Sequence, residues 1–198
     1  MAIYPGDYIR VPGVILLDMS NPKLSDKELV DSVKKDKNNF VHIIKIFEQP
    51  LLRYARYLTS DHDLAKDVVQ QALIKAYINL NSYNPAKKLS SWLYRIVHNE
   101  AINMLKKTKH DQSFDDYLSL PTADNLQEDV IKTELINITR ECLGQIPPIY
   151  RDVLSLYYLE DQKYEEISEI LHIPISTVGV RLARAKKIMR NVCKTKIR

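Results

Sequence analysis

The sequence is poor in glycine and cysteine, and it has no apolar run long enough to cross a membrane. Only four of its 198 residues are glycine and two are cysteine. No glycine-rich phosphate loop is present. Cys142 and Cys193 lie far apart, without a CxxC motif or a Cys/His cluster, and the five histidines show no paired metal-ligand spacing. We therefore expect no catalytic residues, no metal and no cofactor, and a chain that is not an enzyme.

Targeting signals are equally scarce. The stretch from Val11 to Leu17 is short, and no basic region precedes it as in a signal peptide. No segment reaches the length of a transmembrane helix. The expectation is a cytoplasmic protein without membrane insertion.

What is present favours helices. Hydrophobic residues make up 45% of the chain, which is enough for a core. Leu, Ile, Lys and Glu are abundant, and the alternation typical of strands is rare. The predicted fold class is all-α.

Charge is distributed unevenly around a net value of +4. Residues 181–198 contain eight Lys or Arg and no acid, whereas residues 108–134 contain seven Asp or Glu and two Lys. A basic segment of this kind indicates nucleic-acid binding, although a solvated basic face has the same composition. The acidic segment has no helical periodicity.

Hydrophobic spacing divides the chain into two helical domains. Residues 1–23 are predicted to be an N-terminal extension, residues 24–107 a first domain, residues 108–133 a flexible acidic linker, and residues 134–198 a second domain. In the first domain, Ser25 and Glu28 form a predicted capping box. Lys34–Asn39 is a polar break, and the predicted helices that follow are Pro50–Leu58, a helix from about Asp63, and Ser91–Lys107 after the Asn84-Pro85 turn.

The second domain ends in a helix-turn-helix pattern, with the sequence LHIP between two short helical stretches. Pro174 ends the first of them, because proline cannot donate to a continuing helix. Ser176 is the predicted N-cap of the second. One stripe of this helix, including Val178 and Leu182, is apolar and faces its partner helix. The opposite stripe fits a DNA major groove, although any small bundle could present one; it comprises Thr177, Val180, Arg184 and Lys187, with Arg181 on its edge.

Two motifs then occur in order. They are DLAKDVVQQALIKAYINLNSYNPAKKLSSWLYRIVHNEAINMLKK, from Asp63 to Lys107, and IPPIYRDVLSLYYLEDQKYEEISEILHIPISTVGVRLARAKKIMR, from Ile146 to Arg190. Together they resemble regions 2 and 4 of the extracytoplasmic-function (ECF) class of sigma-70 family sigma factors. The resemblance implies a factor that binds bacterial RNA polymerase core, reads promoter −10 and −35 elements, and promotes DNA melting.

The resemblance also implies roles for particular residues. Asp67, Gln70 and Gln71 match the helix that docks on the clamp helices of the polymerase β′ subunit, with Gln71 at a position that is usually acidic. The loop and helix that capture the opened −10 strand correspond to Asn84, Lys87, Lys88, Ser90, Trp92, Arg95, Asn99, Asn103 and Lys106. Trp92 could stack on a base or belong to the core.

In the second motif, the −35 residues are Ser176, Thr177, Val180, Arg181, Arg184 and Lys187. Gly179 and Val180 replace the family's frequent Lys-Ser. Further expected partners are the flap of the polymerase β subunit, promoter DNA and an anti-sigma factor. The acidic linker is either a nucleic-acid mimic in the polymerase channels or a simple tether. Two alternative functions stay open, a helix-turn-helix transcriptional regulator and a sigma-like polymerase-binding regulator.

Overall fold

The structure is a computed structural model that describes residues 24–111, 138–139 and 141–194, with side chains up to residue 107 in the first of these ranges. Throughout those ranges the regular structure is helical, without a strand. The predicted N-terminal extension, and all but the first residues of the predicted acidic linker, lie outside the described residues. The all-α class is confirmed.

Four α-helices form the N-terminal bundle. They are α1 (Asp26–Lys35), α2 (Phe40–Thr59), α3 (His62–Ile78) and α4 (Leu89–Asp111), with short 3-10 turns at Lys37–Asn39 and Leu80–Ser82. Helices α2, α3 and α4 pack against each other in pairs. Their facing residues form the core; the fully buried side chains include Ile43, Tyr54, Ala65, Val68, Ala76, Val97 and Ala101.

Local sequence signals account for the helix starts. The predicted capping box at Ser25 is confirmed, because the hydroxyl of Ser25 accepts from the Glu28 N–H and the Glu28 carboxylate accepts from the Ser25 N–H. Asp61 caps α3, and its carboxylate accepts from the N–H groups of Asp63 and Leu64 at 2.9 and 3.0 Å. Such caps satisfy amides that have no partner within the helix.

Two predicted helix boundaries in this bundle are wrong. The helix predicted to begin at Pro50 is instead the second half of α2, which runs through this proline. Pro50 lacks an N–H and leaves one carbonyl of the preceding turn without its helical donor, but the apolar stripe on both sides of it holds the helix together. Helix α4 continues to Asp111, four residues beyond the predicted end.

Residues 138–139 and 141–144 are helical and begin the C-terminal bundle. Helix α5 (Pro148–Leu154) follows, with Pro148 in its first turn as predicted. It continues into a π-helical turn at Ser155–Leu159, closed by a 3.1 Å bond from the Glu160 N–H to the Ser155 carbonyl. The last two helices are α6 (Tyr164–Leu171) and α7 (Ile175–Lys194), which form the helix-turn-helix.

The turn between α6 and α7 corrects the predicted N-cap at Ser176. Val178 donates its N–H to the Pro174 carbonyl at 3.1 Å, so the helix starts at Ile175 and Ser176 lies inside its first turn. Before it, His172 adopts the left-handed conformation that ends α6. The predicted apolar stripe is confirmed, since Val178, Leu182 and Ala185 of α7 are fully buried.

The two bundles pack against each other, with α6 against α4 and α5 against α2. Glu160 occupies the centre of this contact, where its side chain is 1% exposed. Its carboxylate accepts from the Arg53 Nη2 and Nε at 3.0 and 3.3 Å and from the Tyr94 hydroxyl at 2.6 Å. Burial raises the pKa of Glu160 above its ordinary value, although the Tyr94 hydrogen bond and the Arg53 charge oppose the rise.

Arg151 of α5 makes a second contact between the bundles. Its guanidinium donates to the Tyr57 carbonyl at 3.3 Å and to the Ser60 hydroxyl at 3.2 Å, both at the C-terminal end of α2. It also donates to the carbonyls of Gly144 and Ile146 at 2.8 and 3.1 Å. One side chain therefore joins the end of α2 to the start of the C-terminal bundle.

Candidate nucleic-acid and polymerase interfaces

The outer face of α7 carries the side chains predicted to meet duplex DNA. Val180, Arg184 and Lys187 are exposed, as is Ser176 at the start of the helix. Thr177 and Arg181 are half-buried. The buried stripe on the opposite side fixes the rotation of the helix, so the exposed cations project away from the bundle. This face has the shape and charge that a major groove accepts.

Arg181 differs from the other cations of α7, because it also faces a buried acid. Asp152 of α5 is 7% exposed. Burial raises the pKa of the Asp152 carboxyl to about 7, while the charges of Arg151 and Arg181 oppose that rise. Arg181 therefore interacts electrostatically with the buried Asp152 and also adds positive charge to the edge of the outer face of α7.

Gly179 lies on the side of α7 that faces α6. A Cβ atom built on it would lie 3.8 Å from the Cε2 atom of the Tyr164 ring, an ordinary van der Waals contact, and its backbone is not left-handed. Since α7 starts at Ile175, the glycine occupies the second turn rather than the first. Neither space nor backbone geometry requires glycine at this position.

A polar pocket opens on the surface of α4. Trp92, Arg95, Asn99 and Asn103, which recur every three or four residues along this helix, line it. Arg95, Asn99 and Asn103 are exposed, and Trp92 is half-buried. Side chains of α3 and the following turn close the opposite side; they are Lys75, Asn79 and Ser82.

Trp92 is positioned by an aromatic neighbour. Its ring lies 5.7 Å from that of Tyr83, centroid to centroid, at an interplanar angle of 60°. The indole packs against the core with one part and lines the pocket with another. Both interpretations of Trp92, core packing and a stacking surface, are therefore compatible with its position.

Sequence reasoning missed the ion pair at the edge of this pocket. Lys75 of α3 and Glu100 of α4 form it, and both line the pocket. Glu100 is 8% exposed, which is rare for a glutamate and depends on the lysine. The only signal in the sequence was an acid, Glu100, in the middle of α4, and the helical pattern did not identify its partner 25 residues earlier.

The remaining predicted −10 residues lie around the start and end of α4. Asn84 shapes the loop before the helix, since its Oδ1 accepts from the Ala86 N–H at 3.0 Å. Ser90 is half-buried in the first turn, and Lys106 is exposed three residues beyond Asn103.

Lys87 and Lys88, in the same loop, are paired with acids of the helix-turn-helix. The Lys88 Nζ lies 2.6 Å from the Glu166 carboxylate, and the Lys87 Nζ lies 3.1 Å from that of Glu169. The hydrogen bond to Glu166 raises the pKa of Lys88, a shift that burial partly opposes. The structure thus brings this loop against α6, which sequence reasoning did not predict.

The predicted core-binding residues form an exposed polar face of α3. Asp67, Gln70 and Gln71 all point to solvent. Gln70 also lines an apolar groove between α2 and α3, beside Ile74 and Tyr77, which are 44% and 40% exposed. Sequence reasoning did not identify this groove.

Two negative findings concern the described residues. No three or more His, Cys, Asp or Glu side chains among them are grouped to hold a metal ion. None of the helices within the same ranges is long and apolar enough to span a bilayer.

Comparisons with known proteins agree with this geometry. The family model for sigma-70 region 2 matches residues 43–110, and that for sigma-70 region 4 matches residues 136–189. The ECF sigma factor SigW of Bacillus subtilis is 32% identical over 176 residues, which are 83% of this chain and 94% of SigW. The ECF sigma-E factor of Escherichia coli K12 is 30% identical, over 89% of this chain and 98% of its own length.

Solved structures share the fold. RpoE of Bartonella quintana, crystallised with the anti-sigma factor NepR, matches with a TM-score of 0.66 and 24% identity, over 79% of this chain and 97% of RpoE. CnrH, solved with the cytosolic domain of CnrY, matches with a TM-score of 0.66 and 18% identity, over 86% and 97% of the two chains. Because SigW and sigma-E are matched over nearly their whole length, the chain belongs to the ECF class of the sigma-70 family.

Proposed function

We propose that this chain is an ECF sigma factor that binds RNA polymerase core, directs it to promoters through their −35 and −10 elements, and promotes melting of the −10 region. The observation that supports this best is the pairing of two different nucleic-acid surfaces in one chain. The exposed cations of α7 suit the phosphates and base edges of a duplex. The pocket with Trp92, Arg95 and Asn99 suits an unstacked base and its backbone.

In this proposal, residues 24–107 bind the polymerase and the −10 strand, residues 134–198 read the −35 duplex, and residues 108–133 connect them. The polar face of α3, with Asp67, Gln70 and Gln71, meets the β′ clamp helices, and the apolar groove beside it adds contact area. The C-terminal bundle meets the β flap. DNA opening then needs binding energy for the separated strand rather than a covalent step, so the chain acts with the polymerase in the cytoplasm without enzymatic chemistry of its own.

An anti-sigma factor is part of the proposal. The solved relative from Bartonella quintana is in complex with one. The exposed apolar groove between α2 and α3 is a surface that a masking partner could cover while it blocks the polymerase.

Reconstitution with purified core polymerase tests the function. The expected result is co-elution of the chain with core enzyme and run-off transcripts that start at defined positions on a genomic fragment library. A helix-turn-helix regulator would bind duplex DNA without associating with core enzyme. A sigma-like regulator would associate with core enzyme without supporting initiation at any fragment.

A double alanine variant of Asp67 and Gln70 sharpens the assay. Both side chains are exposed, so the fold should be unaffected. Co-elution and initiation should fall together, whereas binding of the isolated chain to duplex DNA should stay at the wild-type level. Unchanged co-elution would contradict the assignment of this face to the polymerase.

A further inference from the structure

We propose that Asp26 of α1 is a positioning residue for the −10 surface, because its carboxylate caps α4 and holds the loop before that helix, residues 84–88, in the form that receives an opened strand. The inference rests on the proposed function and deepens it, since it adds a residue that acts through the loop rather than on the DNA itself. All of the contacts that support it lie within the N-terminal bundle.

The contact joins residues from opposite ends of the bundle's sequence. The Asp26 Oδ2 accepts from the Leu89 N–H at 2.7 Å, although the two residues lie 63 positions apart. Leu89 is the first residue of α4, and the Lys88 carbonyl accepts the first helical bond from the Trp92 N–H at 3.3 Å. A lysine side chain has no acceptor, so Lys88 cannot cap the helix that it begins. Asp26 therefore supplies an acceptor of the kind that a neighbouring Ser, Thr, Asp or Asn usually supplies at a helix start.

The Asp26 carboxylate is not required to cap its own helix. Helix α1 has a complete capping box, formed by Ser25 and Glu28. The first turn of α4, by contrast, contains no acid. No carboxylate of that turn balances the partial positive charge at the helix N-terminus, and Asp26 brings one from α1.

Asp26 also faces the aromatic side of the loop. Burial, and after it the charge of Asp26, raises the pKa of the Tyr83 hydroxyl above its ordinary value. That hydroxyl donates to the Lys87 carbonyl, and the Lys87 N–H donates to the Asn84 carbonyl at 3.0 Å. The loop is thus fixed at one end by Tyr83 and at the other by Asp26. A loop that is ordered before binding loses less conformational entropy when its ligand arrives.

The loop and the first turn of α4 together position the pocket on this helix. The Trp92 ring lies 5.7 Å from that of Tyr83, centroid to centroid. Trp92 and Arg95 line the pocket, whose other walls come from α3 and the turn after it. Fraying the first turn of α4 would therefore displace Trp92, and with it the surface proposed to receive an unstacked base. Asp26 acts on that surface from a different helix.

The test compares three single variants of the full chain, Asp26→Ala, Asp26→Asn and the matched control Asp31→Ala. Each removes one negative charge, and Asp26 and Asp31 are both half-buried residues of α1. Asparagine keeps a side-chain oxygen that can accept from the Leu89 N–H, and it caps helices about as well as aspartate. Circular dichroism checks that the variants are as helical as wild type.

Fluorescence anisotropy gives the affinity of each variant for a labelled single-stranded oligonucleotide of mixed sequence. Removing a carboxylate beside a basic loop should by itself tighten binding, because the phosphates are repelled less. Loss of a positioned loop acts in the opposite direction. We expect Asp26→Ala to bind up to about fivefold more weakly than Asp31→Ala, the factor that corresponds to one lost cap, and Asp26→Asn to bind at least as tightly as that control. Equal or tighter binding by Asp26→Ala would overturn the proposal, and so would a loss that asparagine does not restore.

Trp92 supplies a spectroscopic readout on the same samples. It is the one tryptophan of the chain, so its emission reports directly on the start of α4. Asp26→Ala should shift the emission to longer wavelength and make it easier to quench with acrylamide, whereas Asp26→Asn and Asp31→Ala should match wild type. Identical quenching of all the variants would show that the loop does not depend on Asp26, against the proposal.

Hydrogen exchange on the wild-type chain keeps the proposal testable if Asp26→Ala does not fold. The Leu89 amide should be protected in the free chain, and the oligonucleotide should leave that protection unchanged. Exchange at the rate of an unstructured chain before DNA is added would exclude the proposal, because the ligand alone would then order the loop. Initiation with core polymerase is scored separately, so a chain that needs Asp26 for strand binding but starts no transcript would refute the sigma function and leave the role of Asp26 standing.

Discussion

The cations of α7 and those of the loop before α4 have the same chemistry and opposite surroundings. Arg184 and Lys187 point into solvent, and among the described residues neither has a carboxylate within salt-bridge distance. Lys87 and Lys88 each face a glutamate of α6. The surface proposed to read duplex DNA therefore lacks paired carboxylates, while two cations of the surface proposed to bind the opened strand are paired with acids of the same chain.

This difference teaches that a basic residue in a DNA-binding motif is not by itself an available cation. Whether a basic side chain can contact DNA depends on which side chains the rest of the fold places next to it. The buried stripe of α7 turns its cations outward, whereas the packing of α6 on α4 turns acids towards the loop. The following predictions test the comparison, starting with the largest expected effect.

Truncating a core side chain beneath the exposed face of α7 should give the largest loss of stability. Leu182 is fully buried between α7 and its neighbours. Leu182→Ala leaves a cavity and should lower the free energy of unfolding by about 2–5 kcal/mol. Urea denaturation followed by circular dichroism measures the change. Val180→Ala, at an exposed position of the same helix, should stay within ~0.5 kcal/mol of wild type; similar losses for both variants would contradict the orientation of α7.

A buried acid should give the C-terminal bundle a distinctive pH dependence. The pKa of Asp152 is raised to about 7, so between pH 4 and pH 7 the folded chain retains a proton that the unfolded chain has lost. This contribution to stability is fully present below the ordinary pKa and disappears as the pH rises to about 7. Asp152→Asn should therefore gain stability relative to wild type across that range, by at most about 1.4 kcal/mol per pH unit.

The measurement is a series of urea melts from pH 4 to pH 8, read as the difference between variant and wild type. His98, whose pKa burial lowers to about 4, has the opposite pH dependence but is present in both proteins and cancels in the difference. A difference that is independent of pH would show that Asp152 is ionised throughout the range.

Loss of two outward cations should weaken duplex binding without unfolding the chain. A variant with both Arg184→Ala and Lys187→Ala should bind duplex DNA about tenfold more weakly. Its slope of log affinity against log salt should be shallower by about 1.8, as expected for two lost phosphate contacts. Titrations at several salt concentrations measure both quantities. The control replaces Lys34 and Lys45, two exposed lysines of the N-terminal bundle, and should leave the slope nearly unchanged.

A substitution in the pocket on α4 should affect binding of single-stranded DNA rather than duplex DNA. Arg95→Ala removes one exposed cation that lines it, so affinity for single-stranded DNA should fall about threefold and the salt slope by about 0.7. Duplex binding through α7 should be unaffected. If Arg95→Ala lowered the affinities for duplex and single-stranded DNA equally, the proposal that α7 binds the duplex and the α4 pocket binds the single strand would be wrong.

The smallest effect concerns the glycine of α7. Gly179→Ala has room for its Cβ and no left-handed backbone to oppose it, so the helix should become more stable by about 0.5–1 kcal/mol. Thermal or urea melts detect a change of this size. A loss of stability would indicate that α6 and α7 approach each other more closely than the 3.8 Å contact with Tyr164 implies.

Much of the helical framework could be predicted because its signals are local. The capping box at Ser25, the proline start of α5 and the buried stripe of α7 each depend on residues within about two turns of one another. Two helix boundaries that local rules predicted wrongly depend on the surrounding residues. Helix α2 continues through Pro50 because apolar residues on both sides of the proline pack into the core, and α7 begins directly after Pro174, so Ser176 lies inside its first turn.

The candidate surfaces were harder to predict, because their contacts join residues that lie far apart in the sequence. The resemblance grouped Trp92, Arg95, Asn99 and Asn103 with the −10 surface, and the structure places all four around one pocket, while their role stays a prediction. Residue type and helical spacing did not indicate that Lys75 and Glu100 would border it. Nor did they indicate the partner of Arg53, since Glu160 lies 107 residues away and a periodic pattern carries no information about such pairs.

The π-helical turn at Ser155–Leu159 holds one more residue than an α turn, since its closing hydrogen bond runs from the Glu160 N–H to the carbonyl of Ser155, five residues earlier. One residue corresponds to a rotation of about 100° around an α-helix axis. If the same residues formed an α turn instead, Glu160 would be rotated by about that angle, away from Arg53. The wider turn therefore determines the direction in which the Glu160 carboxylate points, and with it the ion pair that joins the two bundles.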